Sequence, residues 1–170
     1  MQVLLVEDDV SLRKSLVQVF ESEGISVLEA GSFIVAKDII LANFDGVVLS
    51  DIRMDGKDGF DVLALCNEHD PDLPVIIMTG HAEIQLAVRA LKAGAYDFLE
   101  KPCHPDLLLN AIRTAHEHRL LTVKARYLEQ KVRQSDSAAR DFPGQSRAIS
   151  KFRDDLRRLS PLPVLSLIHI

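Results

Sequence analysis

No apolar run in the chain approaches the roughly twenty residues that a membrane helix needs, and this excludes a helical membrane span. Cysteine is nearly absent. The two present, Cys66 and Cys103, are far apart and form no C-x-x-C pair, so neither a zinc site nor a disulfide framework is indicated, and a reducing cytoplasm is the expected compartment. Excess basic charge is lacking too. At a net charge of −5 the surface as a whole does not attract polyanions, and nucleic-acid contact by this chain is not expected. No internal repeat or low-complexity tract is visible. A strand pattern starts almost at the first residue, which leaves no room for a signal peptide and predicts a protein of the cytoplasm. What the 170 residues do hold is enough for one domain with a sizeable core and something smaller beside it.

The organising stretch is Gly46-Val47-Val48-Leu49-Ser50-Asp51, an apolar run without helical spacing that stops at a carboxylate. Such a run predicts a strand buried on both faces of a parallel sheet, and Ile52 to Gly59 predicts a glycine-rich loop. Val3 to Val6 is the first expected strand, ending at Glu7-Asp8. Asp9 is placed to cap a helix carrying Leu12, Leu16 and Phe20, with Gly24 ending it. Ser26 to Ala30 reads as an outer strand, then a helix capped by Ser32 carries Val35, Ile39 and Ile40 and closes near Asn43. A helix over Phe60 to His69 follows, with Val62, Leu63 and Cys66 on one face, and then the strand Val75 to Thr79. The stripe Ile84, Ala87, Val88, Leu91 predicts a fourth helix ended by Gly94, with Leu86 and Ala90 partly off it as surface for a partner. Asp97 to Glu100 is the fifth strand, and Pro105 or Asp106 opens a helix through Leu108, Ile112 and Ala115. Alternation of five strands with five helices predicts an α/β fold, a (βα)5 doubly wound parallel sheet in the flavodoxin-like order 2-1-3-4-5.

That order brings the first and third strands together, so Glu7, Asp8 and Asp51 converge at one strand edge. Three carboxylates so close repel one another and call for a cation. Hard oxygen donors suit Mg2+, with Asp8 and Asp51 as direct ligands and Glu7 acting through water. Lys101, after the fifth strand, brings a positive charge to the same edge, and Thr79 a hydroxyl. Acids, a lysine and a hydroxyl on four strand ends form apparatus for handling a phosphoryl group.

Leu5-Val6-Glu7-Asp8-Asp9, Leu49-Ser50-Asp51-Ile52-Arg53-Met54, Ile77-Met78-Thr79-Gly80 and Lys101-Pro102, in this order, resemble the receiver domain of two-component response regulators, CheY-like in fold, over residues 1–120. The resemblance implies that Asp51 accepts a phosphoryl group from a sensor histidine kinase. It also implies that Glu7, Asp8, Asp51 and the backbone carbonyl of Arg53 hold Mg2+, that Lys101 pairs with the phosphate, and that Thr79 and Phe98 form a switch. Lys101-Pro102 is a candidate for a cis bond. Two positions depart from the family: Asp55 replaces the proline usual after Met54, and Cys103 replaces the aromatic usual after Lys101-Pro102.

Beyond residue 120 the absence of glycine and proline to Arg133, with His118, Leu121, Ala125, Leu128 and Val132 at three and four residue steps, predicts an extended C-terminal helix able to pair as a two-stranded coiled coil. Residues 121–141 are read as this linker helix, with Ser135 to Arg140 a polar linker. Gly144-Gln145-Ser146 before an amphipathic helix resembles the opening of the AAA+ ATPase domain in sigma-54-dependent activators of the NtrC class, over 142–160, and 161–170 reads as a junction tail. No G-x-x-x-x-G-K-[ST] follows, so ATP hydrolysis by this chain is not expected. The implied partners are the kinase, a second copy through the fourth helix, fifth strand, fifth helix and coiled coil, and the ATPase of the full-length protein.

Other residues have plainer readings. Asp55 and Asp58 serve loop solvation and turn formation, Cys66 and Cys103 pack, His116 and His118 are solvated or line the helix seam, and His81 is a candidate at the pocket mouth. Two other function classes stay open: a magnesium-dependent phosphatase with an aspartyl nucleophile, against which Arg53 stands where a second acid is usual, and a dimerisation module that keeps the acids without using them.

Overall fold

The computed structural model describes residues 1–80 and 84–140, with side chains to residue 132. The first of two units is Met1–Val123. It is built as β1 (Gln2–Val6), α1 (Val10–Ser22), β2 (Ser26–Ala30), α2 (Phe33–Leu41), β3 (Val47–Asp51), α3 (Gly59–His69), β4 (Val75–Thr79), α4 (Ile84–Lys92), β5 (Asp97–Glu100) and the start of α5 (Pro105–Arg140). The strands form one parallel sheet in the order β2-β1-β3-β4-β5, as expected.

Alternation along the strands decides which helix meets which face. Leu4, Val6, Val48, Val75 and Ile77 pack against Ala36 and Ile40 of α2, Val62, Leu63 and Cys66 of α3, and Ala90 of α4. The residues between them, Val3, Leu5, Val47, Leu49, Ile76 and Met78, pack against Phe20 of α1 and Leu108, Ile112 and Ala115 of α5. Both faces are therefore covered, and β3 and β4 are buried throughout. Each large apolar side chain so removed from water contributes about 1.5–3 kcal/mol. The central strands are thereby left with their ends as the places where polar side chains gather.

Helix ends follow side-chain chemistry. Asp9 caps α1 by accepting from the Ser11 and Leu12 amides at 2.7 and 3.0 Å. Asp58, read from sequence as turn solvation, caps α3 instead: it accepts from the Phe60 and Asp61 amides while Asp61 returns a bond from the Asp58 amide, a reciprocal capping box. Asn43 closes α2 at φ +62°, and Gly94 follows α4 at φ +98°. Ser32 stands at the N-cap of α2 but its side chain makes no capping bond.

Three expectations change. In α4 the stripe Ile84, Val88, Leu91 faces outward, Ile84 being 83% exposed, while Ala90 is buried and Leu86 packs on the core. This helix carries two apolar stripes and only one can meet the sheet, and the one with the small Ala90 allows the closer approach. In α2 the exposed Val35 is likewise turned away, and Ala36 and Ile40 make the contact. Finally, α5 continues to Arg140, through the stretch read as a polar linker. Ser135 to Arg140 holds no glycine or proline, and Ala138 and Ala139 favour helix. Of the second unit, which begins at Lys124, residues 124–140 are helical, with Tyr127, Leu128 and Val132 exposed and the Lys131 ammonium 4.7 Å from the Tyr127 ring centre. The expectations on His81 and on residues 142–160 and 161–170 lie outside the described residues.

Candidate functional site

β1 and β3 are neighbours with Val6 opposite Ser50, so the next residues, Glu7 and Asp51, leave the sheet side by side. Glu7 is buried and Asp8 half-buried at the start of the β1–α1 loop. Glu7, Asp8 and Asp51 each offer one carboxylate oxygen, and these oxygens lie within 4.8 Å of one another. Lys101 follows β5 but reaches back across β4: its ammonium stands 2.6 Å from Glu7 Oε2 and 3.0 Å from Asp51 Oδ1. Its backbone amide donates to the Thr79 carbonyl at 2.7 Å, and the Lys101-Pro102 bond is cis. Thr79 is buried at the end of β4, and Phe98 in β5 is half-buried against the α2, α3 and α4 side of the sheet.

The loop after β3 is drawn tightly to the site. The Gly59 amide donates to the Ile52 carbonyl at 3.0 Å, and a Cβ on Gly59 would collide with the carbonyl oxygen of Asp51, so no larger residue fits without moving the aspartate. Asp55 lies beside the acids through its backbone: its amide donates to Asp8 Oδ2 at 3.1 Å, with the side chain exposed. Arg53 sits two residues beyond Asp51 with its side chain exposed, and the use of its carbonyl as a ligand stays with the resemblance. Cys103 packs against the core on the α1 and α5 side, and partial burial pushes its thiol pKa up. Cys66 is buried and raised to about 12.

Among the described residues the site is short of positive charge. Three carboxylates face one ammonium, and burial pushes the Glu7 carboxyl above its ordinary pKa, with Asp51 adding to the rise while the hydrogen bond and charge of Lys101 act against it. The donor set is all oxygen, preformed and undercompensated, which fits a small hard divalent cation. Asp51 and Lys101 keep side-chain exposures of 10% and 18%, enough for a small reactant to reach them, whereas Glu7 is closed off. The arrangement can hold a cation and present a carboxylate oxygen as nucleophile beside an ammonium.

Two residues not singled out from sequence bear on the strand ends. Arg13 of α1 donates from Nη1 to the Glu7 carbonyl at 2.5 Å and from Nε to Glu29 Oε2 at 3.2 Å. Arg119 of α5 is held at the opposite edge of the sheet, between Asp45 and Asp70. Arg119 had a signal: it continues the buried series Leu108, Ile112, Ala115, where an arginine is out of character. Arg13 had none beyond its place one turn after the acids.

Residues 3–113 match the family described as response regulator receiver domain. The C4-dicarboxylate transport transcriptional regulatory protein DctD of Pseudomonas aeruginosa is 38% identical over 161 residues, covering 95% of this chain and 35% of that protein. DctD of Rhizobium meliloti is also 38% identical, over 98% of this chain and 36% of its own length. The chain thus spans about a third of these curated relatives. Among solved structures, the beryllofluoride-activated NtrC4 receiver domain dimer is similar at a TM-score of 0.66 and 36% identity, over 69% of this chain and 98% of that one.

Proposed function

The chain belongs to the response regulator receiver domain family, a regulatory domain of two-component signalling under phosphorylation-based control, and from that premise we propose that Asp51 is its phosphoacceptor. The observation that carries the proposal is the Lys101 ammonium set between Glu7 and Asp51 while Asp8 completes a triad of carboxylate oxygens. A carboxylate oxygen of Asp51 forms the new O–P bond as the N–P bond of a kinase phosphohistidine breaks, and the imidazole departs. Lys101 then exchanges its contact with Asp51 for the phosphoryl oxygens, and the Thr79 hydroxyl moves to donate to them. Phe98 repacks in the space that Thr79 vacates.

Glu7, Asp8, Asp51 and the carbonyl of Arg53 would hold Mg2+, which when bound offsets the charge of the phosphoryl oxygens. Residues 1–120 form the receiver, 121–141 a linker that pairs as a coiled coil, 142–160 the opening of an AAA+ ATPase, and 161–170 a junction tail. In the full-length protein, phosphorylation shifts the pairing of two copies through α4, β5, α5 and the linker, and so controls the ATPase of a sigma-54-dependent activator in the cytoplasm.

The test is incubation with acetyl phosphate and Mg2+ followed by mass spectrometry of the intact chain and its peptides. One phosphoryl group on the Asp51 peptide is expected, absent from Asp51→Ala and from wild type in chelator. Labelling that persists in Asp51→Ala would refute the assignment.

A further inference from the structure

Arg13 stands outside the carboxylate triad, yet it grips the backbone on which two of the three are mounted. Its Nη1 donates to the Glu7 carbonyl at 2.5 Å and lies 3.5 Å from the Asp8 carbonyl. Its Nε is held by Glu29 of β2 at 3.2 Å. The guanidinium thus ties the ends of β1 and β2 from the first turn of α1. Gly31, just past β2, makes room for it: a Cβ there would lie 3.2 Å from Nη1 and 3.5 Å from Cζ. The same short loop is held from other sides by the Glu7 amide on the Ala30 carbonyl at 3.0 Å and by Asp9 on the α1 cap. Its backbone therefore has little freedom, and the directions in which Glu7 and Asp8 project are set with it.

We infer that Arg13 is a positioning residue for the divalent-cation site, acting through the carbonyls of Glu7 and Asp8. The inference rests on the reading that these acids, with Asp51, hold the ion. An arginine so near a cation site has two opposed effects. Its positive charge repels the ion, and its grip on the loop preorganises the ligands. The ion pair with Glu29 offsets the first effect and leaves the second, so the sign of the change on removing Arg13 separates them. Arginine also suits the role better than lysine: a planar fork reaches a carbonyl with one nitrogen while another keeps Glu29, whereas an ammonium carries its donors on a single nitrogen that would have to lie within reach of both oxygens.

Mg2+ titration of the full chain, followed by amide chemical shifts at and around Asp51 at a temperature where circular dichroism shows every variant folded, tests this. Arg13→Ala should weaken Mg2+ binding by about 10–100-fold, the usual consequence of removing a group that orients a ligand. Arg13→Lys should recover part of the loss, and Glu29→Gln should weaken binding by a smaller factor by unmasking the arginine's charge. Binding that is unchanged or tighter in Arg13→Ala, with wild type titrating and Asp8→Asn impaired, overturns the inference and leaves the site reading standing. A wild type that binds no Mg2+, or an Asp8→Asn that binds like wild type, overturns both. Should Arg13→Ala not fold, Arg13→Lys decides: weaker binding supports the inference, and equality with wild type overturns it.

Discussion

At the carboxyl edge of the sheet Lys101 stands between Glu7 and Asp51, and at the amino edge Arg119 stands between Asp45 and Asp70. Both are cations from the second half of the chain reaching back to acids from earlier loops and strand ends. Their surroundings differ in kind. Arg119 has a side chain 8% exposed and donates from Nε to Asp45 at 2.9 Å, with Nη1 2.7 Å from Asp70, but Asp45 is 66% exposed and stays solvated. Its fork meets two carboxylates from separate loops, and little charge is left uncompensated in a dry place. At the other edge the acids are the buried members, a third carboxylate joins them, and the cation is a point charge able to change partners. A clamp and a site are thus made from the same residue types, and what separates them is which partner is desolvated and whether the charges balance.

The largest expected effect comes from removing the proposed phosphoacceptor. Asp51→Asn should abolish phosphoryl incorporation altogether with the fold intact, read by intact mass and circular dichroism, whereas Asp45→Asn at the amino edge should leave incorporation at the wild-type level. Next is the response to the ion. Mg2+ at a hundredfold over its Kd should stabilise the wild type by about 2.7 kcal/mol in thermal or urea unfolding. Asp8→Asn should lose most of that gain and Arg119→Met should keep it; equal gains in both would erase the distinction between the edges. Arg119→Met itself should cost about 1–3 kcal/mol, because it removes the cation paired with the largely buried Asp70 carboxylate, with Asp51 phosphorylation unchanged. Gly59→Ala should cost a similar amount, about 1–3 kcal/mol by overpacking, but should also slow phosphoryl acceptance, since the new Cβ meets the carbonyl of Asp51.

The smallest effect is in pH. The folded-state pKa of Glu7 lies above its ordinary value, so the metal-free folded chain holds that proton more tightly than the unfolded chain. Its contribution is therefore most favourable below the ordinary pKa and is lost as pH rises from there through the raised one. Glu7→Gln should flatten that part of the stability curve measured in chelator, and an unchanged slope would show that Lys101 fully offsets the burial.

The central strand positions and the acid convergence were legible because β1, β3 and β4 are short apolar runs that stop at candidate site residues: Asp51 and Thr79 end their strands in the structure as in the sequence. The inward face of α4 was not legible. Ile84, Val88, Leu91 and Leu86, Ala90 are both valid helical stripes, and which one meets the sheet depends on packing against β4 and β5 rather than on spacing. Arg13 was missed for another reason. It acts on carbonyl oxygens, and a backbone acceptor leaves no trace in side-chain pattern. The same holds for Asp55, whose amide and not its carboxylate reaches Asp8.

The most direct test is an experimental structure of the chain with Mg2+ and beryllofluoride, whose fluorides stand in for phosphoryl oxygens. One ion is expected between Asp8 and Asp51, with beryllium on an Asp51 oxygen and the Lys101 ammonium moved from that carboxylate onto a fluoride. An ion seated elsewhere, or Lys101 still paired with Glu7 and Asp51 beside an unmodified carboxylate, would contradict this expectation.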